Sequence, residues 1–552
     1  MRKHGQNSFF VVGEGVLEFD KDGEPATRQP FCDEELRRFR FSRMGPKGKR
    51  LDEPTRTALA KATTVPGAQQ DSTVPAGFTY LGQFVDHDLT MDRTEAQLGD
   101  DINLGDLLQG RSPALDLDSV YGRGPTDRHD RVFYAADGIQ LLVGRTSATT
   151  FPDDRVNVEL DGFDLPRVGG TAGTHADRRK PLIPDGRNDE NLAVAQTHLA
   201  FIRFHNRVVE ELALKGLTGP RLFAVARDHV VRHYQWLLRT DFLPRIVDPA
   251  IVTDVFTYGR RFFEAPGRGK GRYGQPPTMP IEFAVAAYRL GHSMIRGAYQ
   301  WNRVFNSTGP GAAATLLQLF TFTGTAGNFQ PGSGLPELDD PDSGTVDTLP
   351  TNWIADFRRL YDFTEAGRPD LAPPADAGGG NVTKRIDTLL VDPLAQLPAG
   401  TFGGRGSVVT DLQRNLAFRN LTRATMVRLA SGQQLAEFLC VEPLTEEQIL
   451  VGDGGASLES LTEEQRRAVV AATPLWFYVL REAELNGGVL GPVGGRIVAE
   501  VFHRAMEGSR TSIVREPHWR PVFGPDHHTF RMTDLLLFAF EGKSDLLNPL
   551  GD

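Results

Sequence analysis

Cysteine is nearly absent from this chain: its 552 residues contain two, Cys32 and Cys440. That leaves room for one disulfide. It excludes a disulfide framework, thiolate metal clusters and peroxide chemistry that depends on a nearby resolving thiol. Long apolar runs are also missing. No stretch approaches the ~18 residues of a membrane span. The apolar segment near the N-terminus is interrupted by Gly13, Glu14 and Gly15, which makes it too short for a signal-peptide core. Nor is there a basic surplus: 61 Lys and Arg against 71 Asp and Glu leave a net charge of −10. That balance argues against a dedicated nucleic-acid binder and gives no reason to invoke an anionic membrane. The expectation is a soluble protein without a conventional export signal, cytoplasmic or released by another route.

Glycine and proline, by contrast, are plentiful, with 58 and 36 residues. They gather in 164–187, 322–350 and 366–408. Between these stretches lie segments of helical period at 191–216, 219–247 (broken near Pro244), 281–301, 461–485 and 491–508. Alternating strand patterns are few and short, and there is no internal repeat. The pattern predicts a mainly α protein with few short strands, whose long loops serve as walls of a site.

The stretch GQFVDHDLT (82–90) packs two carboxylates around one imidazole beside an apolar run. On a helix, successive side chains are splayed by about 100°, so Asp86, His87 and Asp88 point three ways and cannot ligate one ion. Gln83 and His87, four apart, share a face. Downstream, RSPALDLDSVYG (111–122) alternates Ser112, Ala114, Asp116 and Asp118, an oxygen-rich loop suited to calcium. EF-hand spacing fails there, and a plain acidic turn is the alternative. In PDGRNDENLAV (184–194), Arg187 and Glu190 precede a helix, where capping by Asn188 or Asp189 is the structural reading. AAYRLGHSMIRG (286–297) sets His292 on an apolar helix with Arg289 before it. A satisfied core histidine competes there with a haem-iron ligand beside anionic propionates. RNLTRATMVRL (419–429) offers Asn420 and Arg423. Asn420 could accept the Nδ1–H of an axial histidine, or the segment could be a surface helix carrying an Asn-Leu-Thr glycosylation sequon. His229 and His233 share a helix face without a third ligand and read as packing or surface residues.

Taken in order, DHD, Ser-x-Ala-x-Asp-x-Asp before VYG, GRxxE, RxGH and NxxR resemble the animal-type haem peroxidases. These belong to the peroxidase–cyclooxygenase superfamily, which includes lactoperoxidase and myeloperoxidase. The chain looks like a bacterial relative over about 76–505. The resemblance implies a single large helical haem-peroxidase domain over 76–552, with 1–75 a loop-rich extension packed on it. It implies His87 as the distal catalytic histidine with Gln83 beside it, Arg187 as the distal arginine, and His292 as the proximal iron ligand. It implies Asn420 as the partner of His292, and Arg289 and Arg423 as propionate partners. Asp86 and Glu190 match carboxylates that form esters to the haem. Calcium is expected on Asp88, Ser112, the carbonyl of Ala114, Asp116 and Asp118. The implied activity is reduction of hydrogen peroxide with oxidation of iodide, bromide, thiocyanate or phenolic donors. Asn191 stands where some members carry a sulfonium-forming methionine, so neither that link nor chloride oxidation is expected. A fatty-acid dioxygenase of cyclooxygenase type is one rival, but its radical tyrosine would fall at Arg289, with Tyr288 one place off. A calcium-binding non-catalytic homologue is the other.

Overall fold

The computed structural model describes residues 39–552, apart from 68, 95, 151–152, 154, 267–275, 345 and 403–408. Cys32 therefore lies outside the described residues, while Cys440 is an exposed free thiol.

Among the described residues helix dominates, and the strands form four two-stranded ladders. β1 (Phe41–Ser42) runs parallel to β5 (Met279–Pro280), and β2 (Asp71–Pro75) antiparallel to β8 (Val382–Lys384). β3 (Gly144–Arg145) pairs with β4 (Asp161–Asp164), and β6 (Ala298–Tyr299) with β7 (Ala314–Thr315). These ladders pin loops to one another. The core is helical.

α1 (Glu53–Ala62) lies within the segment expected to be loop-rich. The Asp52 side chain caps it, and its Arg56 lies over the Phe418 ring. α2 (Gly77–Leu89) follows. Its Leu81, Phe84, Val85 and Leu89 are fully buried, worth roughly 1.5–3 kcal/mol each. Phe84 stacks on Phe201 at 4.6 Å between ring centroids. That contact seats α2 on the hairpin of α3 (Leu192–Leu214) and α4 (Gly219–Leu237). The hairpin turns through Gly216, whose φ of +88° suits a residue without Cβ. α4 continues as a π turn, Leu238–Phe242, and passes through Pro244 in a last helical turn, Leu243–Ile246. The proline is tolerated because it opens that turn. α5 (Pro249–Tyr258), α6 (Leu416–Met426), α7 (Leu475–Leu485), α8 (Pro492–Gly508) and α9 (Met532–Ala539) complete the bundle.

Two expected helices are not continuous. The 461–485 segment divides into Glu463–Ala471 and α7, because Pro474 cannot donate an N–H and becomes the new N-cap. The 281–301 segment forms a π turn at Glu282–Ala286, a 3₁₀ turn at Ala287–Leu290 and one α turn at Gly291–Met294. It then enters β6. Arg289 Nε donates to the Ala284 carbonyl across the change in winding, at 3.0 Å. Apolar periodicity could not reveal this break, since almost every residue from Ile281 to Leu290 is buried whatever the turn type.

Candidate functional site

α2, the loop before α3 and the broken helix meet around one cavity of about 1060 Å³, open in part to solvent. Gln83, Asp86, His87, Glu190, Asn191, Arg289 and His292 all line it, among apolar walls that include Phe78, Phe242 and Leu416. Three of the five motifs thus line one cavity.

His87 is buried, and its Nδ1 lies 2.9 Å from the Asn188 amide oxygen. An oxygen acceptor there fixes the proton on Nδ1 and leaves the Nε2 lone pair available. Nε2 lies 4.0 Å from Glu190 Oε2, a second cavity-lining group. Burial first, then the nearby Arg187, lowers the His87 pKa to about 3, so the ring stays neutral. Asn188 Nδ2 in turn meets His198 Nδ1 at 2.9 Å, which places the His198 proton on Nε2. The pair Asn188 and His198 is the element that reading the sequence missed. The only signal was an asparagine beside the expected arginine.

Arg187 sits differently from its expected place. Its guanidinium is turned away from the cavity wall, bonding Asp185 at 2.7 Å and the carbonyls of His87 and Thr90 at 3.1 and 2.7 Å. A buried guanidinium needs a carboxylate and acceptors for its remaining N–H groups, and the end of α2 provides them. Asp185 also pairs with buried Arg111, which lies 3.3 Å from Asp118. Burial opposes ionisation of Asp185, yet Arg187 and Arg111 hold its carboxyl well below the usual carboxylate range. Asp189 pairs with Arg167 rather than capping a helix. Asn191 is the N-cap of α3, not Asn188 or Asp189, and its Nδ2 donates to Gln83 Oε1 at 3.0 Å. The Gln83 amide NH₂ is thereby left to face the cavity. Asp185, Arg187, Asn188, Asp189 and Asn191 thus all have side chains committed to holding this wall.

The three neighbours of the DHD stretch separate as helical geometry requires. Asp86 lines the cavity and accepts from Thr90 Oγ1 at 3.1 Å. Asp88 leaves it and joins Asp116 and Asp118, with oxygens within 4.8 Å of one another. Asp116 Oδ1 and both Asp118 carboxylate oxygens are buried without a hydrogen-bond partner. Burial raises Asp88 to about pKa 6 and, together with Asp88, raises Asp116 to about 7. Three buried carboxylates whose oxygens are not all satisfied are the donor set a hard divalent cation requires. Ser112 and Ala114 are buried in the same loop. The Ala114 carbonyl already accepts from Asp116 N at 3.1 Å, leaving one lone pair. Ser119, unforeseen, donates to Asp88 at 3.1 Å.

His292 is half-buried in the single α turn, and Asn420, fully buried on α6, reaches its Nδ1 at 3.1 Å. That burial removes the surface-helix and glycosylation readings of 419–429. The contact is inverted from the expected one: the amide nitrogen faces the imidazole, while Arg423 Nη1 holds the Asn420 oxygen at 3.3 Å. A histidine ligating through Nε2 carries its proton on Nδ1, which calls for the Asn420 oxygen; a half-turn of the amide, with release of Arg423 Nη1, would supply it. Arg289 Nη2 is buried without a partner on the cavity wall, a donor suited to an anionic propionate. A Cβ placed at Gly291, beside His292, would meet nothing within 4 Å. Two imidazoles, an unsatisfied guanidinium, apolar walls and open space beside His292 fit a haem. His229 and His233 are packing residues: His233 donates to the His229 carbonyl and accepts from Val522 N.

Residues 93–325 match the family model described as animal haem peroxidase. A peroxidase-like protein of Margaritifera margaritifera is 34% identical over 131 residues, which are 23% of this chain and 15% of that protein. The thyroid peroxidase of Canis lupus familiaris is 27% identical over 201 residues, 34% of this chain and 19% of that protein. The chain thus spans less than a fifth of either relative. In fold, peroxidase A of Dictyostelium discoideum is similar at TM-score 0.52 and 14% identity, covering 92% of this chain and 93% of that one. A fatty acid alpha-dioxygenase of Oryza sativa is similar at TM-score 0.51 and 12% identity, covering 98% and 88%.

Proposed function

Through residues 93–325 this chain belongs to the animal haem peroxidase family, and on that premise we propose that it reduces hydrogen peroxide at a haem and oxidises small donors. Iodide, bromide, thiocyanate and phenolics are the proposed donors. The observation that carries the reading is the pairing, in one cavity, of a neutral His87 with its Nε2 lone pair available and of His292 on a separate element. His292 would hold the haem iron, with Arg289 and Arg423 on the propionates, and the haem would supply the two-electron redox change.

The chain's own residues handle position and protons. His87 accepts a peroxide proton at Nε2 and returns it to the departing oxygen, so that peroxide, two donor electrons and two protons from solvent or donor end as two waters. Such general acid–base work is worth roughly 10²–10⁴ in rate. The Gln83 amide donates to the bound peroxide, held in orientation by Asn191. Arg187 acts here as a positioning residue that ties the end of α2 to Asp185. Calcium on Asp88, Asp116 and Asp118, with Ser112 and the Ala114 carbonyl, would fix the far side of the helix carrying His87. Asp86 and Glu190 are the proposed ester carboxylates, and Asn191 excludes a sulfonium link. Acidic organic extraction after peroxide exposure should leave haem on the wild type and release it from Asp86→Ala/Glu190→Ala.

The primary test is reconstitution with haem, followed by peroxide-dependent iodide oxidation. A Soret band without turnover would favour a non-catalytic homologue. One observation supports a second reading, a fatty-acid dioxygenase: Tyr288 lines the cavity and donates to the Gly82 carbonyl at 3.3 Å. Oxygen uptake with a fatty acid, lost in Tyr288→Phe, would favour it.

A further inference from the structure

A second cleft lies beyond α8 and shares no lining residue with the central cavity. α8 separates the two. Phe502 packs inward on Tyr288, 5.5 Å between centroids, while its neighbour His503 lines the second cleft. The remaining walls come from the end of α4 (Trp236, Arg239), the end of α5 (Phe256) and the segment after α8 (Ile513 to His528).

The charge in this cleft is of one sign. Arg239 and Arg520 line it, and no aspartate or glutamate does. Arg239 has no hydrogen bond or ion pair among the described residues and only lies over the Phe256 ring, at 5.2 Å. Burial and then the positive Arg520 lower its pKa, as expected of a half-buried guanidinium facing a like charge. Arg520 lies 5.8 Å from the Trp236 ring and bonds only the backbone carbonyls of Pro517 and Trp519. His503 accepts from Arg260 at Nδ1, 2.6 Å, so its proton is on Nε2, and burial plus three arginines keep it neutral. Carbonyl contacts orient a guanidinium without neutralising it. Two arginines sharing a cleft lined by an indole and a phenyl ring, with no carboxylate, match an occupant that is anionic at one end and flat and apolar along its body.

We infer that this cleft is a binding site for a small aromatic carboxylate, held by Arg239 and Arg520 at its charged end and by Trp236 and Phe256 along its ring. The test uses the haem-loaded full chain, titrated calorimetrically with 2-naphthoate and with the neutral 2-naphthylmethanol. The expected result is one saturable naphthoate site, binding at least about tenfold tighter than the alcohol, and weakened about tenfold in Arg239→Gln and again in Arg520→Gln. Circular dichroism and thermal unfolding establish that each variant is folded. Arg520 is partly exposed, so Arg520→Gln stays informative if Arg239→Gln does not fold. No naphthoate binding, equal binding of the alcohol, or unchanged affinity in a folded arginine variant would each overturn the assignment.

Discussion

The His87 wall and the His292 wall of the central cavity are built on opposite plans. His87 stands in a regular helix and is fixed through a chain of buried side chains, His87 to Asn188 to His198. The adjoining arginines, Arg187 and Arg111, run through Asp185 to the carboxylate trio. His292 stands in a single α turn after two changes of winding, half-buried, with Asn420 on its Nδ1 and an arginine nearby holding a donor in reserve. The wall that moves protons must hold one tautomer at one place, so the bond from His87 to Asn188 that sets this tautomer is made before anything binds. The wall that would carry a metal and two propionates keeps donors unsatisfied, because the ligand completes them.

The largest effect expected from that contrast is on the His292 side. His292→Ala should abolish stable haem incorporation, read as loss of the Soret band and of peroxidase activity; full retention of both would break the contrast. His87→Ala should do the reverse, keeping the Soret band while lowering peroxide turnover by roughly 10²–10⁴. If haem affinity and turnover fell together in this variant, the two walls would not be separable in function.

Metal removal addresses what lies behind the His87 wall. Chelation, or Asp116→Ala, should lower the unfolding free energy by on the order of 3 kcal/mol when wild type is measured at ~100-fold calcium excess over its Kd. Activity should fall with it, since Asp118 connects through Arg111 and Asp185 to Arg187. Elemental analysis finding no divalent metal in active protein would defeat this expectation. Asn188→Ala should cost about 1–3 kcal/mol, because it strands a buried Nδ1–H on His87. Asn188→Asp should instead raise the His87 pKa and move the acid limb of the activity profile upward; an unmoved limb would mean that Asn188 does not act through His87.

The last effect is a slope with pH. His87, His198 and His233 are lowered to about pKa 3 in the fold, from 6.5, chiefly by burial. Between those values the unfolded chain binds protons that the native chain does not. Stability should therefore fall as pH drops from 6.5 towards 3, by about 1.4 kcal/mol per unit for each histidine. Denaturant titrations at pH 6 and 4 measure it, and His198→Phe should flatten the slope by one histidine's share.

The sequence by itself determined the mainly helical class, the five motif positions, and the separation of Asp86, His87 and Asp88 into different directions. These follow from composition, from local order along the chain, and from the fixed 100° step of a helix, none of which needs a distant partner. Only the tertiary structure decided where Arg187 points, that Asn188 rather than a generic cap holds His87, that Asn191 holds Gln83, and that 281–294 is wound three ways. The His87, Gln83 and Arg187 contacts depend on which buried donor meets which acceptor across about 100 residues, as His87 meets Asn188. The same holds for the orientation of the Asn420 amide, set by Arg423 on its own helix and His292 on another. Periodicity carries no record of such pairings, because a buried polar residue looks alike in sequence whichever partner satisfies it.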